Sequence, residues 1–173
     1  MEILVYRDVQ PNVAEGGKIM EFGSIEREIH INASPEVVFA VVSSPEHLSE
    51  WWADEVELES APGAVGELAW NGKTGTREMV VPFTVVEAEP PRLFSFRWVY
   101  PEGEAADATN SLLVTFELVP SGAGTVLRLT ETGFREKGWE IAVLEDQYKE
   151  HCVGWDFYIP RLGEYAVKLG SLQ

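Results

Sequence analysis

IAVLEDQYKEHCVGWDFYIPRLGEYAVKL (Ile141 to Leu169) sets large apolar residues at Ile141, Leu144, Tyr148, Cys152, Trp155, Ile159, Leu162, Ala166 and Leu169. Every step is three or four residues. At roughly 100° per residue, all of these positions fall within about 60° of one line along a helix. A helix with such a stripe needs an apolar surface to lie on, and the chain before it supplies one. In EPPRLFSFRWVY (Glu89 to Tyr100), Phe94, Phe96, Trp98 and Tyr100 alternate with Ser95, Arg97 and Val99. That is the register of a strand with one aromatic face.

Working outward, the same alternation recurs. Ser111 to Val119 turns Leu112, Val114, Phe116 and Leu118 one way, with Thr115 and Glu117 opposite. Thr125 to Thr132 turns Leu127, Leu129 and Glu131 inward. Thr76 to Ala88 aligns Met79, Val81, Phe83 and Val85, and its Pro82 implies a bulge or an edge position. Ala64 to Trp70 and Glu55 to Ser60 are weaker strands. Asn71-Gly72, Pro90-Pro91, Pro101-Glu102-Gly103 and Ser121-Gly122 punctuate them as turns. Upstream, Ile25, Arg27, Ile29 and Ile31 form an opening strand, with Arg27 an imperfection on its apolar side. Ser34-Pro35-Glu36 and Ser44-Pro45-Glu46 each open a short helix: a serine N-cap, proline at the first helical position, an acid at the positive end of the dipole. The order is β, αα, five or six β, then a long α. Strands in a run with helices segregated predict an α+β domain over residues 24–173, an antiparallel sheet carrying the last helix on one face. Residues 1–23 form an N-terminal extension, in which Ile3 to Tyr6 has the makings of an edge strand. Pro160 predicts a kink in the long helix, at a cost on the order of 3 kcal/mol. Gly154, one and a half turns earlier, predicts a close backbone approach.

Composition narrows the function classes. The chain has 173 residues, 45% hydrophobic, with a formal net charge of −16. Such an acidic surface opposes phosphate-backbone contacts with nucleic acid and docking on anionic lipid. Cys152 is the sole cysteine, so no internal disulfide forms, which fits a reducing compartment. No stretch has the length and apolarity of a membrane span. The N-terminus lacks the basic start and apolar run of a secretion signal. A cytoplasmic location is expected. His30, His47 and His151 have no metal-ligand spacing with other histidines or carboxylates, so neither metal nor other cofactor is expected. No phosphate-binding glycine loop or nucleophile elbow is present.

Five motifs carry a resemblance to a known superfamily: IEREIHINASPEVVFA (Ile25 to Ala40), the Trp51-Trp52 pair, EPPRLFSFRW (Glu89 to Trp98), TETGF (Thr130 to Phe134) and GWDFYIPRL (Gly154 to Leu162). In this order they resemble the START and Bet v 1-like (SRPBCC) helix-grip domains. More narrowly, the chain looks like the domain related to the activator of the Hsp90 ATPase. The resemblance covers Ser24 to about Gly170. It implies a curved sheet wrapped around the C-terminal helix, with space between the two for a ligand. The superfamily spans ligand carriers, cyclases, hydrolases and co-chaperone domains, so fold alone selects no activity.

The expected lining of that space is Trp51, Trp52, Trp70, Arg77, Met79, Phe83, Phe94, Phe96, Trp98, Phe116, Leu129, Glu131, Tyr148, His151 and Trp155. The plain alternative is that these aromatics fill a core. Glu131 stands out as a carboxylate on an apolar face. It must pair, protonate or reach water: a ligand anchor or acid–base group, or a rim residue paired with Arg77, Arg97 or Arg128. His151 flanks the helix stripe one turn before Trp155, placed to donate into the space or to sit as a satisfied boundary histidine. Tyr148, His151, Cys152 and Trp155 are the expected cavity-facing part of the helix, and Ile159 to Leu169 the part that closes the core. The leading expectation is non-catalytic binding of a small hydrophobic or amphipathic ligand by a monomer or homodimer. The alternatives are a stress- or chaperone-related protein-interaction module and, third, a cavity enzyme of the cyclase or hydrolase type.

Overall fold

The helices of the domain begin where serine and proline dictate. In the computed structural model, Ser34 Oγ accepts from the Val37 N–H at 3.3 Å and opens α1 (Pro35–Ser43). The second Ser-Pro-Glu opens α2 (Pro45–Trp51), but the Ser44 side chain makes no cap bond there. Its backbone N–H instead closes α1 on the Ala40 carbonyl at 3.0 Å. The structure describes Phe22 to Leu172 in full, preceded by the backbone of three short strands: β1 (Val5–Asp8), β2 (Val13–Ala14) and β3 (Lys18–Ile19). Ile3, at the start of the expected edge strand, lies outside the described residues.

Seven strands follow: β4 (Ser24–Ile31), β5 (Glu55–Glu57), β6 (Val65–Asn71), β7 (Arg77–Glu89), β8 (Leu93–Trp98), β9 (Leu112–Ser121) and β10 (Gly124–Thr132). All pair antiparallel, in the order β1-β4-β10-β9-β8-β7-β6-β5. From β5 to β10 each strand pairs with the next in sequence. The chain leaves β4 through α1 and α2, reaches the far edge at β5, and returns strand by strand until β10 lies against β4. Val5↔His30 and Asp8↔Arg27 pairing adds β1 outside β4, while β2 and β3 pair with each other. This α+β helix-grip architecture is completed by α3 (Ile141–Gly170), a single helix that continues through Pro160.

Alternation along β4, β8, β9 and β10 faces their apolar sets inward, and Ile25, Phe94, Phe96, Phe116 and Leu127 are buried. α3 closes this layer with Leu144, Trp155, Ile159, Leu162 and Ala166. Ile141, the first residue of the stripe, is 72% exposed, and burial on α3 begins at Leu144. Arg27 is no flaw in β4. Its guanidinium is buried, and Nε donates to Asp156 Oδ1 on α3 at 2.8 Å, an ion pair that ties helix to strand. Pro82 sits opposite Glu67 of β6 but outside the β8 pairing, which begins at Phe83↔Trp98. A ladder one strand deep on that side tolerates the missing N–H.

Candidate functional site

β7 is longer than β8, and this mismatch makes the site. Beyond Phe83 the start of β7 pairs only with β6, so Met79 and Val80 are 54% and 46% exposed. Between that projecting hairpin and α3 lies a cavity of about 610 Å³. Trp52, Trp98 and Trp155 form its inner wall. Trp70 and Met79 to Pro82 form the hairpin wall, and Val99 to Pro101 line the cavity from the segment that follows β8. Lys137 closes one side, and α3 contributes Gln147, Glu150, His151, Gly154 and Tyr158.

Trp52 organises the aromatic wall. It stacks on Trp51 with ring centroids 5.7 Å apart, and approaches Trp98 at 5.1 Å, Trp155 at 5.6 Å and Trp70 at 5.9 Å. The C-terminal end of α2 supplies the pair, so one tryptophan turns into the core and the other toward the cavity. Trp51 is 1% exposed and donates its Nε1–H to the Val41 carbonyl at 2.9 Å.

Behind this wall lies a charged group. Glu131 on β10 is wholly buried. Its Oε2 accepts from Trp98 Nε1 at 2.7 Å, and its Oε1 accepts from Trp155 Nε1 at 2.9 Å. His151 Nδ1 lies 2.8 Å from the same Oε1. Three ring nitrogens thus converge on one carboxyl group, drawn from β8 and from two successive turns of α3. The arginines expected as partners are elsewhere. Arg77 is half-exposed and pairs with Glu55 at 2.7 Å and Glu67 at 2.9 Å. Arg128 pairs with Glu28 at 3.1 Å. Arg97 reaches the Asp107 carbonyl and Ser111 Oγ, both at 3.4 Å. The alternation that buried Glu131 was legible, but its partners were not: indoles donate as well as fill space, and nothing in the chain order marks which two will.

Of the expected lining residues, Trp52, Trp70, Met79, Trp98, His151 and Trp155 border the cavity. Trp51, Phe83, Phe94, Phe96, Phe116 and Leu129 do not; they are buried in the hydrophobic core. Arg77 lies on the surface of the projecting hairpin. Glu131 touches the cavity only through the three side chains it binds. Tyr148 turns away: its hydroxyl donates to the Ser24 carbonyl at 2.8 Å, and its ring meets Phe22 and Phe134. Cys152 is likewise off the lining, its thiol pushed up by burial and partly offset by Arg27. The helix therefore faces the cavity with the ridge Gln147-His151-Gly154-Tyr158, rotated by about 80° from its apolar stripe at 100° per residue. Gln147, His151 and Gly154 on that ridge are polar or small, so it carries no apolar period. Gly154 also differs from expectation. A Cβ placed there meets nothing within 4 Å, so this glycine leaves room in the cavity and is not a close-approach point.

Lys137 was not anticipated. Its Nζ donates to the Val99 carbonyl at 2.5 Å and the Asn110 carbonyl at 2.9 Å, and lies 4.9 Å from the Trp139 ring centre. Burial holds its ammonium below the usual lysine range. Val99 has φ of 58°, a left-handed conformation uncommon for a β-branched residue. The lysine clamps the carbonyl of that strained residue at the rim of the cavity.

Residues 32–166 match the family described as activator of Hsp90 ATPase homolog 1-like protein, and the chain belongs to that family. None of the curated proteins matches it. Among solved structures, a Rhodobacter sphaeroides protein is 21% identical with a TM-score of 0.69, over 98% of this chain and 100% of that one. A Mesorhizobium loti protein is 22% identical, TM-score 0.65, over 82% of this chain and 95% of that one. The Aha1 dimer of Colwellia psychrerythraea, a solution structure, is 20% identical, TM-score 0.64, over 85% of this chain and 97% of that one. At these identities the likeness is one of fold.

Proposed function

We propose that the chain binds a small hydrophobic or amphipathic ligand between its sheet and its C-terminal helix, with no defined catalytic step. The observation that carries this reading is the cavity of about 610 Å³ bordered by Trp52, Trp70, Trp98 and Trp155. Ligand sites are commonly apolar clefts of roughly 300–1,000 Å³ with a few placed polar groups, and here Lys137, Gln147 and His151 supply them. Rigid aromatic walls give contact area at little entropic cost. Native mass spectrometry of protein purified without denaturation tests the reading: a co-purifying mass lost on solvent extraction is the expected result. A bare protein that also fails to bind an environment-sensitive apolar dye, with or without Gly154→Phe, refutes it.

A second reading is a cytoplasmic, chaperone- or stress-related protein-interaction module. The description of the family favours it, as do Val153 and Phe157, which are 70% and 56% exposed on the outer side of α3. Pull-down with an Hsp90 from the same cells is the test, and Phe157→Ser is expected to abolish the capture. Retention of an apolar ligand without any capture leaves only the first reading. Sedimentation separates a monomer from a homodimer.

A further inference from the structure

His151 connects the buried carboxylate to the cavity. Glu131 is fully buried and does not border the cavity, whereas His151 does. An indole N–H only donates, so Trp98 and Trp155 fix both oxygens of Glu131 as acceptors. An ionised carboxylate only accepts, so the bond of 2.8 Å from His151 Nδ1 to Oε1 carries its proton on the ring nitrogen. The other nitrogen, Nε2, makes no hydrogen bond among the described residues. The one side-chain polar atom among them that is both fully buried and unbonded is Ser95 Oγ, so Nε2 is open to an incoming molecule. Trp98 and Phe134, with ring centroids 5.4 and 5.5 Å from His151 and edges set against it, hold the imidazole plane. With Nδ1 turned to Glu131, Nε2 is the ring nitrogen left for the cavity, and on a neutral imidazole that atom is an acceptor.

The other polar groups of the cavity argue against an anion. Lys137 commits two of its three N–H bonds to the Val99 and Asn110 carbonyls and lies 4.9 Å from the Trp139 ring centre. Glu150 stands on the same helical wall as His151, in a chain of net charge −16.

We propose that the ligand is a neutral ring system bearing a hydroxyl group, and that this hydroxyl donates a hydrogen bond to His151 Nε2. The proposal rests on the cavity-binding reading and narrows it, reversing the role expected of His151 from donor to acceptor. Equilibrium dialysis of the full chain against naphthalene, 2-methoxynaphthalene, 2-naphthol and 2-naphthoate separates the two levels. Naphthalene and the ether are expected to bind alike, with 2-naphthol tighter by about tenfold, the worth of one neutral hydrogen bond. His151→Phe is expected to remove the preference of 2-naphthol over the ether. In wild-type protein with 15N-labelled histidine, NMR is expected to show Nε2 of His151 unprotonated, a readout independent of how any variant folds. Naphthalene binding with equal affinities for 2-naphthol and the ether refutes the hydroxyl contact and leaves the cavity reading standing. Preference for 2-naphthoate, or a protonated Nε2, refutes it in favour of an anion or an acceptor ligand. If none of the four binds, the cavity reading falls and this inference with it.

Discussion

Glu131→Gln is the sharpest perturbation of this molecule, because it changes almost no volume and breaks a hydrogen-bond count. The carboxylate accepts Trp98 on one oxygen and Trp155 and His151 on the other. Glutamine has one acceptor oxygen and one NH2 donor. With its oxygen in the Oε1 position, its NH2 points at the Trp98 N–H across 2.7 Å. With the amide turned over, the NH2 points at the Trp155 N–H across 2.9 Å. Either way one buried indole donor faces another donor. An orphaned buried donor costs about 1–3 kcal/mol, and the surviving bonds lose the charge that roughly doubled their strength. Glu131→Gln is therefore expected to destabilise the domain by about 3 kcal/mol. At this chain length that lowers the midpoint of thermal unfolding by about 6–12 °C. Urea unfolding followed by circular dichroism measures it. Glu67→Gln, on an exposed ion pair with Arg77, serves as a control expected to leave the midpoint unmoved. A Glu131→Gln protein within about 0.5 kcal/mol of wild type would refute the three-donor arrangement, since surface substitutions alone fall in that range.

Further outcomes follow from individual positions. Gly154→Ala places its methyl in open space within a helix, so it is expected to stabilise by about 0.5–1 kcal/mol by urea unfolding, while Gly154→Phe keeps the fold and abolishes apolar dye binding. Lys137→Met leaves the Val99 and Asn110 carbonyls without their donor and is expected to cost about 1 kcal/mol. The folded pKa of Lys137 lies below its unfolded value, so the folded state binds fewer protons between the two and stability rises with pH there. The stability difference between wild type and Lys137→Met is accordingly expected to grow in favour of wild type as pH climbs toward the unfolded value near 10.5; a difference flat with pH contradicts the burial of the ammonium. Burial raises the Cys152 thiol, so iodoacetamide at pH 8 is expected to modify it several-fold more slowly than a free thiol, as read by intact mass; an equal or faster rate would be wrong for this site.

Much of the fold was legible because the relevant forces are local or periodic. Inward sets on β8, β9 and β10 followed from period two, and the start of α1 followed from Ser34 and Pro35. The cavity was harder to place, for three physical reasons. Period two tells which face Phe94, Phe96 and Phe116 take, but not whether that face meets α3 or a gap. The gap arises where β7 outruns β8, a length difference that depends on pairing register. Finally, the cavity-facing ridge of α3 is built from Gln147, His151, Gly154 and Tyr158, and a ridge of mixed polarity leaves no hydrophobic signature. Arg27 shows the complementary failure. Read along its own strand it breaks the pattern, and only Asp156, on a distant helix, explains it.

The core and the cavity are joined by the same side chains. Trp98 and Trp155 each present a ring to the cavity while the indole nitrogen is committed to Glu131 behind it. Their planes are thus fixed by a buried charge and not by packing alone, which allows two large aromatic surfaces to border an open volume without collapsing into it. A wall of phenylalanines would have no such restraint, and the apolar gain from closing the gap would act unopposed. Trp98→Phe is consequently expected to shrink the cavity as well as remove one hydrogen bond, so its loss of apolar ligand should exceed that of Trp70→Phe. Trp70 borders the same cavity on the hairpin side but holds no bond to Glu131. If the two variants lose affinity equally, the carboxylate does not brace the wall, and the opening is held by the strand mismatch between β7 and β8 alone.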